Sequence, residues 1–386
     1  MTKIKTIIEP QMITWARKRL NMSVVEFAEK MKVDPNSINE WENGTTPISM
    51  KQAELLAKLS LVPLGMLFLK EIPQINLSLP DFRSIGNAMV SNASPELEAT
   101  ILEMQEKQQW MKDFRLENNE EPLPYIGSIN LSMKINDAVS VIRQVLHIFE
   151  DDIGDNRNWE SYFGFIIDAI ENAGILFVRN GVVGKNTHRQ LDIEEFRGFA
   201  LADDYAPLIF INGADSKNAQ LFTVVHEVVH IFLGKGGVSN VSMAEGTNNR
   251  IECFCNQVSG EFLAPQKIVS ELWKETLETE ENLKILAKAL KVSKFVVLYR
   301  LRDLELITRE EFQRCWQQES RNIRHQTASG GDFYATLKYK VSRTLAQMVI
   351  SESLAYRIPF REAFQLVGVK NMGQMMRLAQ EIGMPL

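Results

Sequence analysis

The segment His226-Glu227-Val228-Val229-His230 constrains this chain more than any other feature, because it sets two histidines and a glutamate within an apolar stretch. That stretch runs from Leu221 to Leu233, and residues four apart on a helix share a face. Both imidazoles can therefore point at one metal ion, while Glu227 lies beside them as a general base. Two histidines that fall four apart by chance would explain neither the glutamate nor the apolar flanks. The pattern predicts a metal hydrolase.

A catalytic zinc ion usually has three protein ligands, so the chain must supply one more. Glu252 is the best candidate, because it lies in a second predicted helix, Asn249 to Val258, which runs on toward Pro265. The polar loop from Gly234 to Asn249 allows this helix to fold back onto the first. Asn256 follows Glu252 by one turn on the same face. We expect Asn256 to hydrogen-bond a histidine ring or the ligand carboxylate from outside the ligand set.

Four neighbouring residues are alternative ligands. Glu245 lies in the loop and Glu261 lies near the end of the helix, so both rank below Glu252. Cys253 and Cys255 point about 200° apart on a helix, so the two thiols cannot both reach one metal ion. We therefore expect both cysteines to be small buried residues.

A small sheet is predicted ahead of the histidine helix. Leu208 to Asn212 is a short run of strand-forming residues between Pro207 and Gly213. Two further strands and a preceding helix are predicted in the segments Gly174–Val178, Gly198–Leu201 and Trp159–Asn172. Either Asp215 or Ser216 is expected to cap the helix that carries the histidines.

Several of these segments together resemble the ImmA/IrrE family of zinc metallopeptidases. They are Arg197–Leu201, Ala206–Asn212, Phe222–His230 and Ile251–Pro265. The resemblance covers about residues 160 to 270 and implies an α+β, zincin-like metallopeptidase domain. It implies that His226, His230 and Glu252 are the zinc ligands and that Glu227 is the catalytic base.

The chain departs from the family pattern at Cys253, Cys255 and Ser259, where relatives usually have small residues. These positions lie outside the implied catalytic set. Characterised members of the family cleave repressors that have helix-turn-helix domains. The resemblance therefore implies a protein substrate of the repressor or antitoxin type. Arg197 and Tyr205 are candidates for stabilising the oxyanion of such a reaction.

The N-terminal region predicts five short helices at Gln11–Leu20, Val24–Met31, Pro35–Glu42, Met50–Leu59 and Pro63–Leu69. Ser23 is the expected cap of the second helix, and Asp34 followed by proline is the expected start of the third. Gly44 suits the left-handed turn that ends the third helix. The segment from Ser37 to Gly44 resembles the third helix and following turn of XRE-type helix-turn-helix domains, and the match covers about the first 70 residues.

Whether this region binds DNA is left open by its charges. The residues that we expect at a DNA interface are Asn36, Ser37, Asn39, Arg17 and Lys18. The third helix has no lysine or arginine, however, and its two glutamates would repel phosphate. Val24 occupies a position where relatives often have a glutamine that contacts phosphate. A protein-docking or dimerisation module is therefore the alternative.

The fold class that we predict is multidomain and mainly α. Its parts are an N-terminal five-helix helix-turn-helix domain (1–72), a helical linker or brace (73–157), a zincin-like metallopeptidase domain with a small sheet (158–275), a helical, helix-turn-helix-like extension (276–320) and a C-terminal helical segment (332–386). The acidic segment from Glu150 to Asn156 is predicted to be a solvated turn.

The whole-chain composition limits the remaining possibilities. At 386 residues the chain exceeds one typical domain, and its net charge of −6 argues against an extensive nucleic-acid-binding surface. Three cysteines without a paired framework suit a reducing compartment. No apolar run reaches the length of a signal peptide or a membrane span. These features predict a soluble cytoplasmic protein whose oligomeric state the sequence leaves open.

Two functions therefore follow from the sequence. The first is a zinc-dependent metalloendopeptidase that destroys a regulatory protein. The second is a DNA-binding transcriptional regulator whose zinc site is mainly structural or sensory.

Overall fold

The computed structural model describes residues 8–20, 22–73, 93–155, 158–239, 249–323 and 339–384. The chain divides into two compact units. The first comprises residues 1–78 and 86–103, and the second comprises residues 79–85 and 104–386. The prediction for Glu245 lies outside the described residues.

The first unit begins with four α-helices, α1 (Pro10–Arg19), α2 (Val24–Met31), α3 (Pro35–Glu42) and α4 (Met50–Ser60). Ser23 and Glu26 form a capping box at α2, and the Asp34 carboxylate accepts a hydrogen bond from the Asn36 N–H at the start of α3. Gly44 follows α3 with a φ of 72°, which only glycine adopts without strain. These caps are the ones that the sequence predicts.

The fifth predicted helix of this unit, Pro63–Leu69, is a 3₁₀ helix at Leu64–Phe68 rather than an α-helix. Short apolar segments of this length often form 3₁₀ turns, because they close fewer hydrogen bonds than a stable α-helix needs. The core of the unit contains Met12, Phe27, Ile38, Trp41 and Leu56.

Helix α5 (Pro95–Glu117) is divided between the units at residue 103. The second unit then has the helices α6 (Ile135–Leu146), α7 (Asp151–Asp155), α8 (Trp159–Asn172), α9 (Lys217–Phe232), α10 (Arg250–Leu263), α11 (Gln266–Leu272), α12 (Thr279–Leu290), α13 (Lys294–Asp303), α14 (Arg309–Ile323), α15 (Arg343–Leu354), α16 (Phe360–Leu366) and α17 (Met372–Glu381). None of the described helices is long and apolar enough to cross a membrane.

The sheet of the second unit has four strands, β1 (Leu176–Asn180), β2 (Gly198–Leu201), β3 (Leu208–Asn212) and β4 (Gly237–Ser239), in the order β1-β3-β2-β4. Strands β1 and β3 are parallel, whereas β2 pairs antiparallel with β3 and with β4. The sequence predicts the first three strands. It misses β4, which lies inside the predicted loop from Gly234 to Asn249 and forms only by pairing with β2.

The prediction of a solvated turn at Glu150–Asn156 is wrong, because Asp151–Asp155 forms the short helix α7. The Phe149 N–H donates to the Asp152 carboxylate at 2.6 Å, which stabilises the start of this helix. One apolar core includes Ile142 of α6, Phe177 of β1 and Leu286 of α12. Residues of three predicted segments (73–157, 158–275 and 276–320) thus share the core that surrounds the histidine helix.

A buried carboxylate joins the C-terminal helices to the sheet. Glu171, at the end of α8, accepts hydrogen bonds from the backbone N–H groups of Phe177, Arg343 and Thr344 and from the Ser342 hydroxyl, at 2.9 to 3.1 Å. Burial raises the pKa of Glu171, and the hydrogen bonds from Thr344 and Ser342 oppose that rise. The carboxylate therefore occupies the N-terminus of α15, where unpaired N–H groups favour an acceptor.

We expect Glu171→Ala to lower the free energy of unfolding by about 3 kcal/mol, because it leaves several buried donors without an acceptor. Asp168→Ala is the matched control, since Asp168 pairs with Arg343 at 2.9 Å but is 63% exposed. That change should cost less than about 0.5 kcal/mol. Chemical denaturation of both variants measures the difference, and equal stability of the two would contradict this role for Glu171.

Candidate metal centre

Helix α9 carries both histidines and is buried along nearly its whole length. The Ser216 hydroxyl accepts a hydrogen bond from the Ala219 N–H, so Ser216 rather than Asp215 is the cap of α9. Asp215 instead accepts a hydrogen bond from Arg197 at 2.9 Å. The apolar residues of α9 pack into the core of the second unit, which fixes the orientation of the polar pair that they enclose.

Helix α10 brings the third predicted ligand to the same place. Asn249 caps this helix by accepting a hydrogen bond from the Ile251 N–H at 2.9 Å. The following turn contains Glu252, whose side chain is only 17% exposed. The helix-loop-helix arrangement expected from the sequence therefore brings the carboxylate of α10 to the imidazoles of α9.

Four donor atoms converge at this point. The Nε2 atoms of His226 and His230 are 3.1 Å apart. The Glu252 carboxylate is 3.1 Å from Nε2 of His226 through Oε2 and 3.3 Å from Nε2 of His230 through Oε1. Nitrogen and oxygen ligands of a tetrahedral zinc ion, with bonds of about 2.0–2.1 Å, are separated by about 3.3 Å. The spacing and the chemistry of these donors fit a zinc ion.

The electrostatics of the cluster follow from its burial. Burial lowers the pKa of His226, and the Glu252 carboxylate opposes that change. Burial would also lower the pKa of His230, but Cys255, Glu252 and Glu227 raise it well above its ordinary value. Burial alone would raise the pKa of Glu252, whereas the hydrogen bonds with both histidines hold it well below its usual range. The carboxylate therefore stays charged in a site that attracts a cation.

The alternative ligands on α10 differ in their burial and in their partners. Cys253 is exposed, so the prediction that it is buried is wrong, whereas Cys255 is buried as predicted. The Cys255 Sγ and one donor atom from each of His226 and His230 all lie within 4.8 Å of one another. Glu261 forms an ion pair with Arg300, which occupies its carboxylate. The sequence does not reveal that Cys255 is this close to the histidines.

Glu227 faces strand β2 and is fully buried. A Cβ atom placed on Gly198 would lie 3.2 Å from Oε1 of Glu227 and 2.8 Å from Cγ2 of Thr223 on α9. A side chain at position 198 would therefore displace either the glutamate or the helix. Gly198 is a residue whose role sequence reasoning missed, although a glycine inside a predicted strand is a signal of close backbone approach.

The remaining predicted site residues have defined surroundings. Asn256 is half-buried on α10 and raises the pKa of His226 by a side-chain hydrogen bond. Arg197 is held by Asp215, and the backbone carbonyl of Tyr205 accepts a hydrogen bond from Arg115. None of these contacts aims Arg197 or the Tyr205 hydroxyl at the histidine cluster, so neither is assigned as an oxyanion stabiliser.

The residues predicted at a DNA interface differ in accessibility. Asn36 and Asn39 of α3 and Lys18 of α1 are exposed, and Ser37 is half-buried. Arg17 is different, because its guanidinium forms a two-pronged ion pair with Glu42 at 2.7 and 2.9 Å. It thereby neutralises a glutamate on α3, and a contact between Arg17 and phosphate stays a prediction.

Two family models match separate parts of the chain. Residues 170–302 match the model Peptidase_M78, described as an IrrE N-terminal-like domain, and this range contains all the converging donors. Residues 13–63 match the model HTH_3, described as helix-turn-helix. No curated protein significantly matches the chain. Both matches confirm the resemblances read from the sequence: one part of the chain is similar to helix-turn-helix domains and another is similar to the IrrE N-terminal-like domain.

Proposed function

We propose that the second unit is a zinc-dependent endopeptidase. The observation that carries this proposal is the convergence of His226, His230 and Glu252 beside a buried Glu227. A structural zinc site has no need of an additional buried carboxylate, whereas peptide hydrolysis needs a general base next to the metal. The match to a peptidase family supports the same reaction class.

Each residue has a separate task in this proposal. His226 and His230 hold the metal through Nε2, and Glu252 holds it through its carboxylate. Zinc, when bound, supplies a Lewis acid that polarises the scissile carbonyl and acidifies a water molecule. Glu227 accepts the proton of the attacking water and later returns it to the leaving amine. Gly198 leaves space for the Glu227 carboxylate.

The substrate class comes from the family resemblance. A repressor-like or antitoxin-like protein with a helix-turn-helix domain is the proposed substrate. Such a substrate and the reduced cysteines together favour a site of action in the cytoplasm.

We expect Glu227→Gln to bind as much zinc as the native chain and to lose cleavage by about 10²- to 10⁴-fold, since only the proton transfer is removed. The measurement compares new protein N-termini in cells that produce the native chain with those in cells that produce the variant. Termini present only with the native chain identify the substrate as well as the reaction.

The matched control for this experiment is Glu160→Gln, the same change at a 64% exposed carboxylate on α8. It should give the native set of termini. Equal cleavage by native protein and Glu227→Gln, with zinc bound to both, would rule out the proposed base.

A second variant tests the ligand set. We expect Glu252→Ala to weaken zinc binding by about 100-fold or more, since residues that merely orient zinc ligands already contribute 10- to 100-fold. Competition with a chromogenic chelator measures the affinity. Gln257→Ala, an exposed change on the same helix, should retain native affinity. If Glu252→Ala bound zinc with unchanged affinity, the third ligand would have to be another residue.

We propose DNA binding by the first unit as a second function. The exposed amides of Asn36 and Asn39 on α3 can pair with base edges, and Lys18 is free to approach phosphate. The neutralisation of Glu42 by Arg17 removes one of the two repulsive charges on α3. The alternative is that the exposed face of α3 binds a protein partner, because α3 itself has no basic residue.

Selection from random duplexes tests the second function. We expect Asn39→Ala to reduce discrimination at one base pair by about 1–3 kcal/mol. Lys18→Ala should weaken all duplexes similarly and lower the salt slope by about 0.9, whereas Lys58→Ala on α4 should leave the slope unchanged. The absence of any salt-dependent binding would favour the protein-docking alternative.

A further inference from the structure

The Cys255 thiol lies beside the two histidines of the candidate metal centre. Its Sγ is within 4.8 Å of a donor atom of each histidine, and its side chain is fully buried. It follows Glu252 by three residues on α10, so the thiol and the carboxylate share the face that is turned to α9. Cys253, two residues earlier, is exposed and points away from this cluster.

The separation is close to that of a real coordination shell. With zinc–nitrogen bonds of about 2.0–2.1 Å and a zinc–sulfur bond of about 2.3 Å, nitrogen and sulfur ligands lie about 3.6 Å apart. The sulfur therefore needs to approach each nitrogen by about 1.2 Å at most. A rotation of about 20° about the Cα–Cβ bond, together with a shift of α10 by a few tenths of an ångström, supplies that movement. Thiolate and imidazole are also the ligands that zinc prefers in closed protein sites.

We propose that Cys255 is the fourth zinc ligand and that the resting metal centre is closed. This inference rests on the proposed zinc site and adds its regulation. With two imidazoles, one carboxylate and one thiolate bound, a tetrahedral ion has no open position for a substrate carbonyl or a water molecule. The peptidase is then latent until Cys255 leaves.

Opening the site requires no redox reagent. Cys255 would leave the metal and take up one proton from a buffer acid, so that the thiolate becomes a thiol and the conjugate base remains in solution. His226, His230 and Glu252 would hold the ion during this exchange. A closed centre of this kind limits unwanted proteolysis by a peptidase that shares a compartment with other proteins.

Cobalt substitution provides a direct test, because a cobalt–thiolate bond gives a charge-transfer absorption that nitrogen and oxygen ligands do not give. The starting protein is the full chain with Cys253→Ala and Cys315→Ala, which leaves Cys255 as its single cysteine. We expect it to show the thiolate band with cobalt and a zinc–sulfur distance of about 2.3 Å by X-ray absorption. Adding Cys255→Ala should abolish both signals and retain one metal ion per chain.

Activity gives an independent readout on the same proteins. If the closed form makes up about nine tenths of the resting molecules, Cys255→Ala raises the cleavage rate about tenfold. Cys315→Ala, made alone in the native chain, truncates a buried thiol in the same core but outside the cluster. It controls for loosened packing and should leave the native rate unchanged.

The outcomes separate this inference from the proposed function. Glu227-dependent cleavage without a thiolate band would overturn the fourth ligand and leave the peptidase standing. A thiolate band without cleavage by any variant, including Cys255→Ala, would confirm the ligand and overturn the peptidase, since the zinc would then be structural. A band together with an unchanged rate in Cys255→Ala would overturn latency.

Discussion

The second unit depends on the packing of α9 against α10, because this contact brings two imidazoles and a carboxylate to within 3.3 Å of one another. Polar groups are costly to bury unless they bind partners, and a carboxylate is the most costly of the three. The surrounding apolar residues of α9 hold the helices together through their own burial. The polar cluster is thus assembled by the hydrophobic core and not by its own attraction.

The sheet also helps to position the polar cluster, because one of its strands contacts the histidine helix. Strand β2 lies against α9 at Gly198, and the absence of a side chain there lets Glu227 sit between helix and strand. Pairing of β2 with both β3 and β4 fixes the backbone at that position. The direction of the Glu227 carboxylate is therefore set by strand pairing, whereas the positions of the proposed metal ligands are set by helix packing.

Local patterns predicted much of this arrangement. Helices α3 (Pro35–Glu42) and α8 (Trp159–Asn172) begin and end at the predicted residues. Each has its own N-terminal cap and its own apolar spacing. The spacing of His226 and His230 gives their shared face in the same way. Strand β4 escaped prediction because its three residues are held by β2 and have little apolar pattern of their own. The ion pair between Arg17 and Glu42 also escaped prediction, because the two residues lie 25 positions apart in the sequence.

The two cysteines of α10 also show what local sequence patterns cannot predict. Helical geometry alone establishes that Cys253 and Cys255 point apart, and their burial agrees. It does not establish which of them faces α9, because that depends on how α10 rotates when Phe254, Val258 and Leu263 enter the core. That rotation places the Cys255 thiol beside the histidines. A rotation of α10 by about half a turn would thus exchange the exposed thiol and the candidate metal ligand.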